Sequence, residues 1–194
     1  MGLSCPDVTA PEAAGCYCKA MTPHVEAWLR GPIPGIPALL MPAAHALVHA
    51  EDDGARALEG LTPEQIWTRP GNAASVGYHV RHIVGATDRL CTYARGEVLS
   101  EAQQSRRRAE SSTPSPLPDA SALTKEVNQA VAAALEQLRR TPPDTLLDER
   151  GVGRQGVPSN VIGLLFHAAE HAARHAGQAL TTALLVREEG RVKE

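Results

Sequence analysis

From Ser159 to Arg187 the sequence runs without a proline, directly after Pro158, and reads as one long helix opened by a serine cap. A rod of that length cannot bury its apolar side alone. Three other stretches offer partners. Leu39, Leu40, Ala43, Leu47, Ala50 and Leu58 predict a first helix over residues 38–59, with Pro42 in its first turns and Gly60 as its stop. Val76, Val80, Ile83, Thr87, Leu90 and Ala94 predict a second, running from a Ser75 cap to Arg95 with Gly96 behind it. Leu123, Val127, Val131, Ala134 and Leu138 predict a third over residues 120–140, ended by Pro142 and Pro143. Thr62 with Gln65, and Ser100 with Gln103, are capping-box pairs that start short accessory helices, while Ser111 to Pro118 is a proline-rich linker. No run alternates with period two for long enough to compete. The fold class that follows is all-α, an antiparallel four-helix bundle with short accessory helices.

Composition supports this reading. Aromatic residues make up only 3% of the 194, which disfavours a sandwich or barrel, and the abundant alanines suit helices that approach closely. The length suffices for one domain with a sizeable core. Residues 1–23 carry no periodicity and are expected to form a mobile N-terminal extension, Met21 offering a second start, with the domain over residues 24–190.

A formal net charge of −3 gives no footprint for nucleic acid or anionic lipid, and Arg106, Arg107 and Arg108 read as a solvated helix face beside Glu101 and Glu110. No stretch approaches the ~18 apolar residues of a membrane span, and no secretory signal is evident, so a cytoplasmic location is expected. Cys5, Cys16, Cys18 and Cys91 then read as free thiols.

The eight histidines carry the chemistry. In the last helix His167, His171, Arg174, His175 and Gln178 fall within roughly 80° of one another on one face. Imidazoles collected on one face among alanines point to a metal ion rather than to a solvated polar face. Two pairings are open. His167-x-x-Glu170-His171 matches the pattern of inverted zinc proteases, but no distant acidic ligand follows, Glu188 and Glu189 lying on the tail of the same helix. His171 and His175 form the other pair, with Gly177-Gln178 directly behind them. A third ligand must come from another helix, and the second supplies His79 and His82, with Arg89 on nearly the same side as His82. His24, His45, His49 and His79 read as structural, although His49 is a further candidate to reach the site. A ferritin-like di-iron centre is excluded, because Glu170 is followed three residues later by Ala173 and Glu126 by Gln129.

Pro70-Gly-Asn-Ala-Ala-Ser75, followed seven residues later by His82-Ile83 and then by His171-x-x-x-His175-x-Gly177-Gln178, resembles the DinB/YfiT-like superfamily over about residues 25 to 188. The resemblance implies a four-helix bundle, often a homodimer, with one divalent metal, zinc or nickel, held by His82, His171 and His175. Some such relatives are thiol S-transferases or isomerases that use a low-molecular-weight thiol as cofactor, mycothiol-dependent maleylpyruvate isomerase among them. Three protein ligands leave the fourth tetrahedral position open, where a thiol or water would be activated toward a small-molecule substrate. His167, Arg174, Gln178 and His49 are the candidates to assist, with ion pairs to Glu170 or Asp88 as the plainer use of Arg174 and Arg89. The alternative is a metal-binding, stress-related bundle without turnover.

Overall fold

The computed structural model describes residues 25–191. The expected N-terminal extension, with Cys5, Cys16 and Cys18, and His24 lie outside the described residues. The described chain forms helices α1 (Met41–Leu58), α2 (Pro63–Trp67), α3 (Val76–Ala94), α4 (Glu101–Ala109), α5 (Ala120–Arg140) and α6 (Val161–Arg191), with a two-stranded antiparallel sheet of β1 (Glu149–Val152) and β2 (Val157–Asn160).

Helix ends follow the local chemistry of the chain. Both capping boxes form: Thr62 and Gln65 exchange side-chain to backbone bonds at the start of α2, and Ser100 and Gln103 do so at α4. Ser75 Oγ accepts the Tyr78 N–H at 3.1 Å to open α3, and Asp119 accepts from Ala122 at 2.8 Å to open α5. Pro42 sits in the first turn of α1, where its missing N–H costs nothing.

The long helices close around a single apolar cluster. Leu47, Leu58, Val76, Val80, Ile83, Leu123, Val127, Val131, Leu138 and Leu165 are fully buried, each worth about 1.5–3 kcal/mol relative to exposure. Toward them α6 turns Ala168, Ala169, Ala172, Ala176, Ala179 and Ala183, all essentially buried, so its backbone comes close to α1 and α3.

Helix directions depart from the expected antiparallel arrangement. His79 meets His175, His82 meets His171, and Thr182 bonds the Ala74 carbonyl, so α3 and α6 are antiparallel. Arg139 near the end of α5 reaches the Pro34 carbonyl ahead of α1, while Gly54 late in α1 faces Val127 early in α5, so these two are antiparallel as well. Arg187 late in α6, however, donates to the carbonyls of Arg56, Ala57 and Glu59 at the end of α1, while Ala173 lies beside Pro42 and His45 at its start. Helices α1 and α6 therefore run parallel, and by the same relations so do α3 and α5, which also pack together. Short loops enforce antiparallel neighbours; the connection over residues 95–119 is long enough to carry the chain back to the same end.

The sheet is the second correction to an all-α reading. Its strands are four residues each, too short to show a period, and the turn between them uses Gly153 and Gly156 at positive φ. It consumes Ser159, so α6 starts at Val161 and Asn160 accepts the Gly163 N–H at 2.8 Å in the serine's place. Arg150 on β1 donates to the Ala94 carbonyl at 2.9 Å, tying the sheet to the end of α3. Leu39, expected in the core, is 67% exposed because it belongs to a 3-10 turn, Ala38–Leu40, whose register differs from that of α1.

Candidate metal centre

His82 projects from the middle of α3, and His171 and His175 from successive turns of α6. Antiparallel packing of the two helices brings them level, so that one ligating atom from each lies within 4.8 Å of the others. His82 Nε2 and His171 Nε2 are 2.9 Å apart, and the His175 ring lies 4.5 Å from that of His82 and 4.6 Å from that of His171. Two imidazole lone pairs do not meet at 2.9 Å unless a proton or a cation lies between them. Zinc–nitrogen bonds of 2.0–2.1 Å at a tetrahedral angle separate the nitrogens by about 3.3 Å, a small expansion of the present geometry. The three half-buried rings fit a divalent ion.

Around them lies a hydrogen-bonded surround. Glu110, at the end of α4 and 8% exposed, meets His82 Nδ1 at 2.9 Å. Arg89 donates to both oxygens of that carboxylate, through Nη1 to Oε1 and through Nη2 to Oε2 at 3.3 Å. A Cβ on Gly85 would fall on Glu110 Oε1 and 2.8 Å from Arg89 Nη1. His79 Nδ1 meets His175 Nδ1 at 3.0 Å, and Tyr78 stacks on His82 with its ring 5.6 Å away. On the solvent side Arg174 Nη2 donates to His171 Nδ1 at 3.3 Å and to both oxygens of Glu170 at 2.8 and 3.0 Å, while His167 meets Glu170 at 2.6 Å.

Burial and neighbouring charge disfavour protonation of three of these rings. Burial, then the neighbouring His82, His171, His79 and Arg174, push His175 down to about 4. His171 is lowered by burial, His82, Arg174 and His167 against a smaller opposing effect of Glu170, and His79 by burial and His82. Near neutral pH these three rings are uncharged, each with one nitrogen lone pair. Burial by itself would raise the Glu110 carboxyl, but hydrogen bonds from His82 and Arg89 hold it below the ordinary carboxylate range.

The expected residues divide clearly. His82, His171 and His175 come together, and His167 and Arg174 stand at the rim, Arg174 in the expected pair with Glu170. Gln178 is exposed on α6 beyond His175. His49 does not reach the cluster: it pairs with Asp53 at 3.2 Å beside Trp28 and His45, against Ala173 on a different face of α6. His45 instead meets the Gly31 carbonyl at 3.0 Å. Arg89 pairs with Glu110 and not with Asp88. His79, read as structural, is a direct partner of His175. Glu110 carried no local signal beyond a glycine, Gly85, placed in mid-helix near His82, where alanine would be favoured by about 1 kcal/mol. Cys91 is buried, its thiol pushed up to about 11 chiefly by that burial, which makes it inert.

Two solved structures share the fold. A conserved protein from Enterococcus faecalis is 19% identical, with a TM-score of 0.60 over 77% of this chain and 97% of its own. A DinB-like protein from Bacillus cereus is 18% identical, with a TM-score of 0.55 over 76% and 91%. At such identities the likeness shows the fold alone. No curated protein matches the chain. The model of the family described as the DinB superfamily matches residues 46–179, a span from α1 into α6 that contains all three clustered histidines, and the chain belongs to that superfamily.

Proposed function

We propose that the protein binds one divalent transition metal, zinc or nickel, through His82, His171 and His175, and is an enzyme in which that ion activates a low-molecular-weight thiol or a water for transfer, isomerisation or hydrolysis of a small molecule. The observation that carries the reading is the meeting of three imidazoles from two helices within 4.8 Å. Imidazole donors suit zinc and nickel. The thiol comes from the family resemblance. In this reading the four long helices form a bundle spanning residues 24–190, cytoplasmic and paired as a homodimer.

When bound, the ion would supply Lewis acidity and lower the pKa of a thiol or water beside it. The chain's own groups do the rest. Glu110 and His79 hold His82 and His175 from behind. Arg174, half exposed beside His171, is placed to orient an anionic group of the substrate, and His167 with Glu170 can hold a proton at the rim.

A second reading, a metal-binding bundle without turnover, has one observation in its favour: the cavities between α3 and α5 and beside α1 are lined by other residues than these three histidines. Metal analysis of the purified protein, followed by a transferase screen with several low-molecular-weight thiols, separates the two. The expected result is near one equivalent of zinc or nickel, falling below about a tenth in His82→Ala and His175→Ala. A wild-type protein that takes up no added zinc or nickel would overturn both readings.

A further inference from the structure

We infer that Glu110 is a positioning residue for the histidine cluster: seated in the space left by Gly85 and braced by Arg89, its carboxylate takes the Nδ1 proton of His82 and leaves the bare Nε2 facing His171 and His175. The meaning of this inference rests on the metal reading above; its tautomer test does not.

A neutral imidazole has one lone pair and can present it from either nitrogen, so a ligand histidine needs something to choose for it. An ionised carboxylate only accepts hydrogen bonds. At 2.9 Å from Glu110 Oε2, His82 Nδ1 must therefore be the donor, and in the neutral ring Nε2 then carries the lone pair. Among the described residues, His171 and His175 have no carboxylate hydrogen-bonded to the ring in this way. His79 faces His175 with a nitrogen that can donate or accept, so it follows the tautomer of its partner. Arg174 faces His171 Nδ1 as a donor only, which favours the opposite tautomer there.

Sequence distance makes the arrangement a device rather than an accident of neighbours. Glu110 lies 28 residues from His82, delivered by α4 on the long connection between α3 and α5. Arg89 fixes both carboxylate oxygens, so Glu110 can neither turn away nor take a proton at little cost. Gly85 is the residue that lets the carboxylate reach α3 at all, since any Cβ there would collide with it. Two turns of α3 thus carry the histidine at 82, the gap at 85 and the clamp at 89, in positions spaced to share a helix face.

The test uses the full chain, metal-free and zinc-loaded. In ¹⁵N-resolved histidine spectra of the metal-free protein, His82 is expected as the Nδ1–H tautomer, shifting toward Nε2–H in Glu110→Ala. Zinc affinity, measured by chelator competition, is expected to fall about 10–100-fold in Glu110→Ala. Glu110→Gln, which keeps an acceptor oxygen, should lose less, and Glu101→Ala, an exposed carboxylate on the same helix, should lose nothing. Should Glu110→Ala fail to fold because Arg89 is left unpaired, the double variant Arg89→Met with Glu110→Leu removes both charges and the acceptor together, and the same losses are expected. His82 remaining Nδ1–H in Glu110→Ala or in that double variant, or zinc affinity there within about twofold of wild type with the fold intact, would overturn the inference. A wild type that shows the Nδ1–H tautomer yet binds no zinc would uphold Glu110 as the residue that orients His82 and sink only the metal reading.

Discussion

His171 is pulled two ways. With Glu110 holding the Nδ1 proton of His82, the 2.9 Å contact between the two Nε2 atoms requires the proton on His171 Nε2, and His171 Nδ1 then accepts from Arg174 at 3.3 Å. A metal at Nε2 would expel that proton and require Nδ1–H, which points a donor at a donor. Arg174 therefore opposes metal binding until it swings wholly onto Glu170. Removing it should help: Arg174→Met is expected to tighten zinc binding several-fold in chelator competition, about 1 kcal/mol, since Glu170 can then accept from His171. Weaker binding in that variant would contradict the proton chain. At this scale the site was half legible. His171 and His175 share a face by spacing alone, and His82 came from the motif around it. Glu110 and His79 were not legible, because a partner supplied by another helix leaves no periodic trace in the sequence.

Elements were legible where their determinants are local. Caps at Thr62, Ser75 and Ser100 formed where expected because a side chain and an N–H three residues on are enough to make them. The sheet over Glu149–Asn160 was missed, since its strands hold together through a turn and the end of α3 rather than through an apolar face. Two helical glycines show how packing decides a sign that propensity cannot. In mid-helix, glycine to alanine gains about 0.5–1 kcal/mol. Gly177 on α6 has nothing within 4 Å of a new Cβ, so Gly177→Ala should raise the melting temperature by about 2–4 °C. A Cβ at Gly77 would lie 2.8 Å from the Trp67 ring, which is buried under α3, and overpacking costs about 1–3 kcal/mol. Gly77→Ala should therefore lower it and shift the Trp67 fluorescence as α2 is displaced. Equal shifts in the two variants would mean that α2 does not pack tightly on α3.

For the whole molecule, directions of helices were the part the sequence could not show. Apolar stripes say that helices pack, and only the reach of the connection over residues 95–119 makes α3 and α5 parallel neighbours. That topology sets α3 and α6 side by side and antiparallel, so the histidine cluster joins two elements far apart in the chain, and its protonation must register in global stability. The unfolded chain takes up histidine protons near pH 6.5. Folded His171, His175 and His79 refuse them until lower pH, His175 until about 4. Between those values the unfolded state binds more protons, so stability rises with pH there. In EDTA the melting temperature should thus be highest above about pH 6.5 and fall steadily toward pH 4. Glu110, held below the ordinary carboxylate range, adds a further loss as the pH falls through its folded value. His175→Gln should flatten the upper part of this profile. With zinc present at about a hundred times its dissociation constant, the protein should gain about 2.7 kcal/mol near neutral pH, on the order of 5–10 °C. Zinc needs the unprotonated rings, so that gain should shrink as the pH falls. A metal-free profile that stays flat from pH 7 to 4, or a zinc gain that does not change with pH, would show that His79, His171 and His175 do not titrate as buried, uncharged rings.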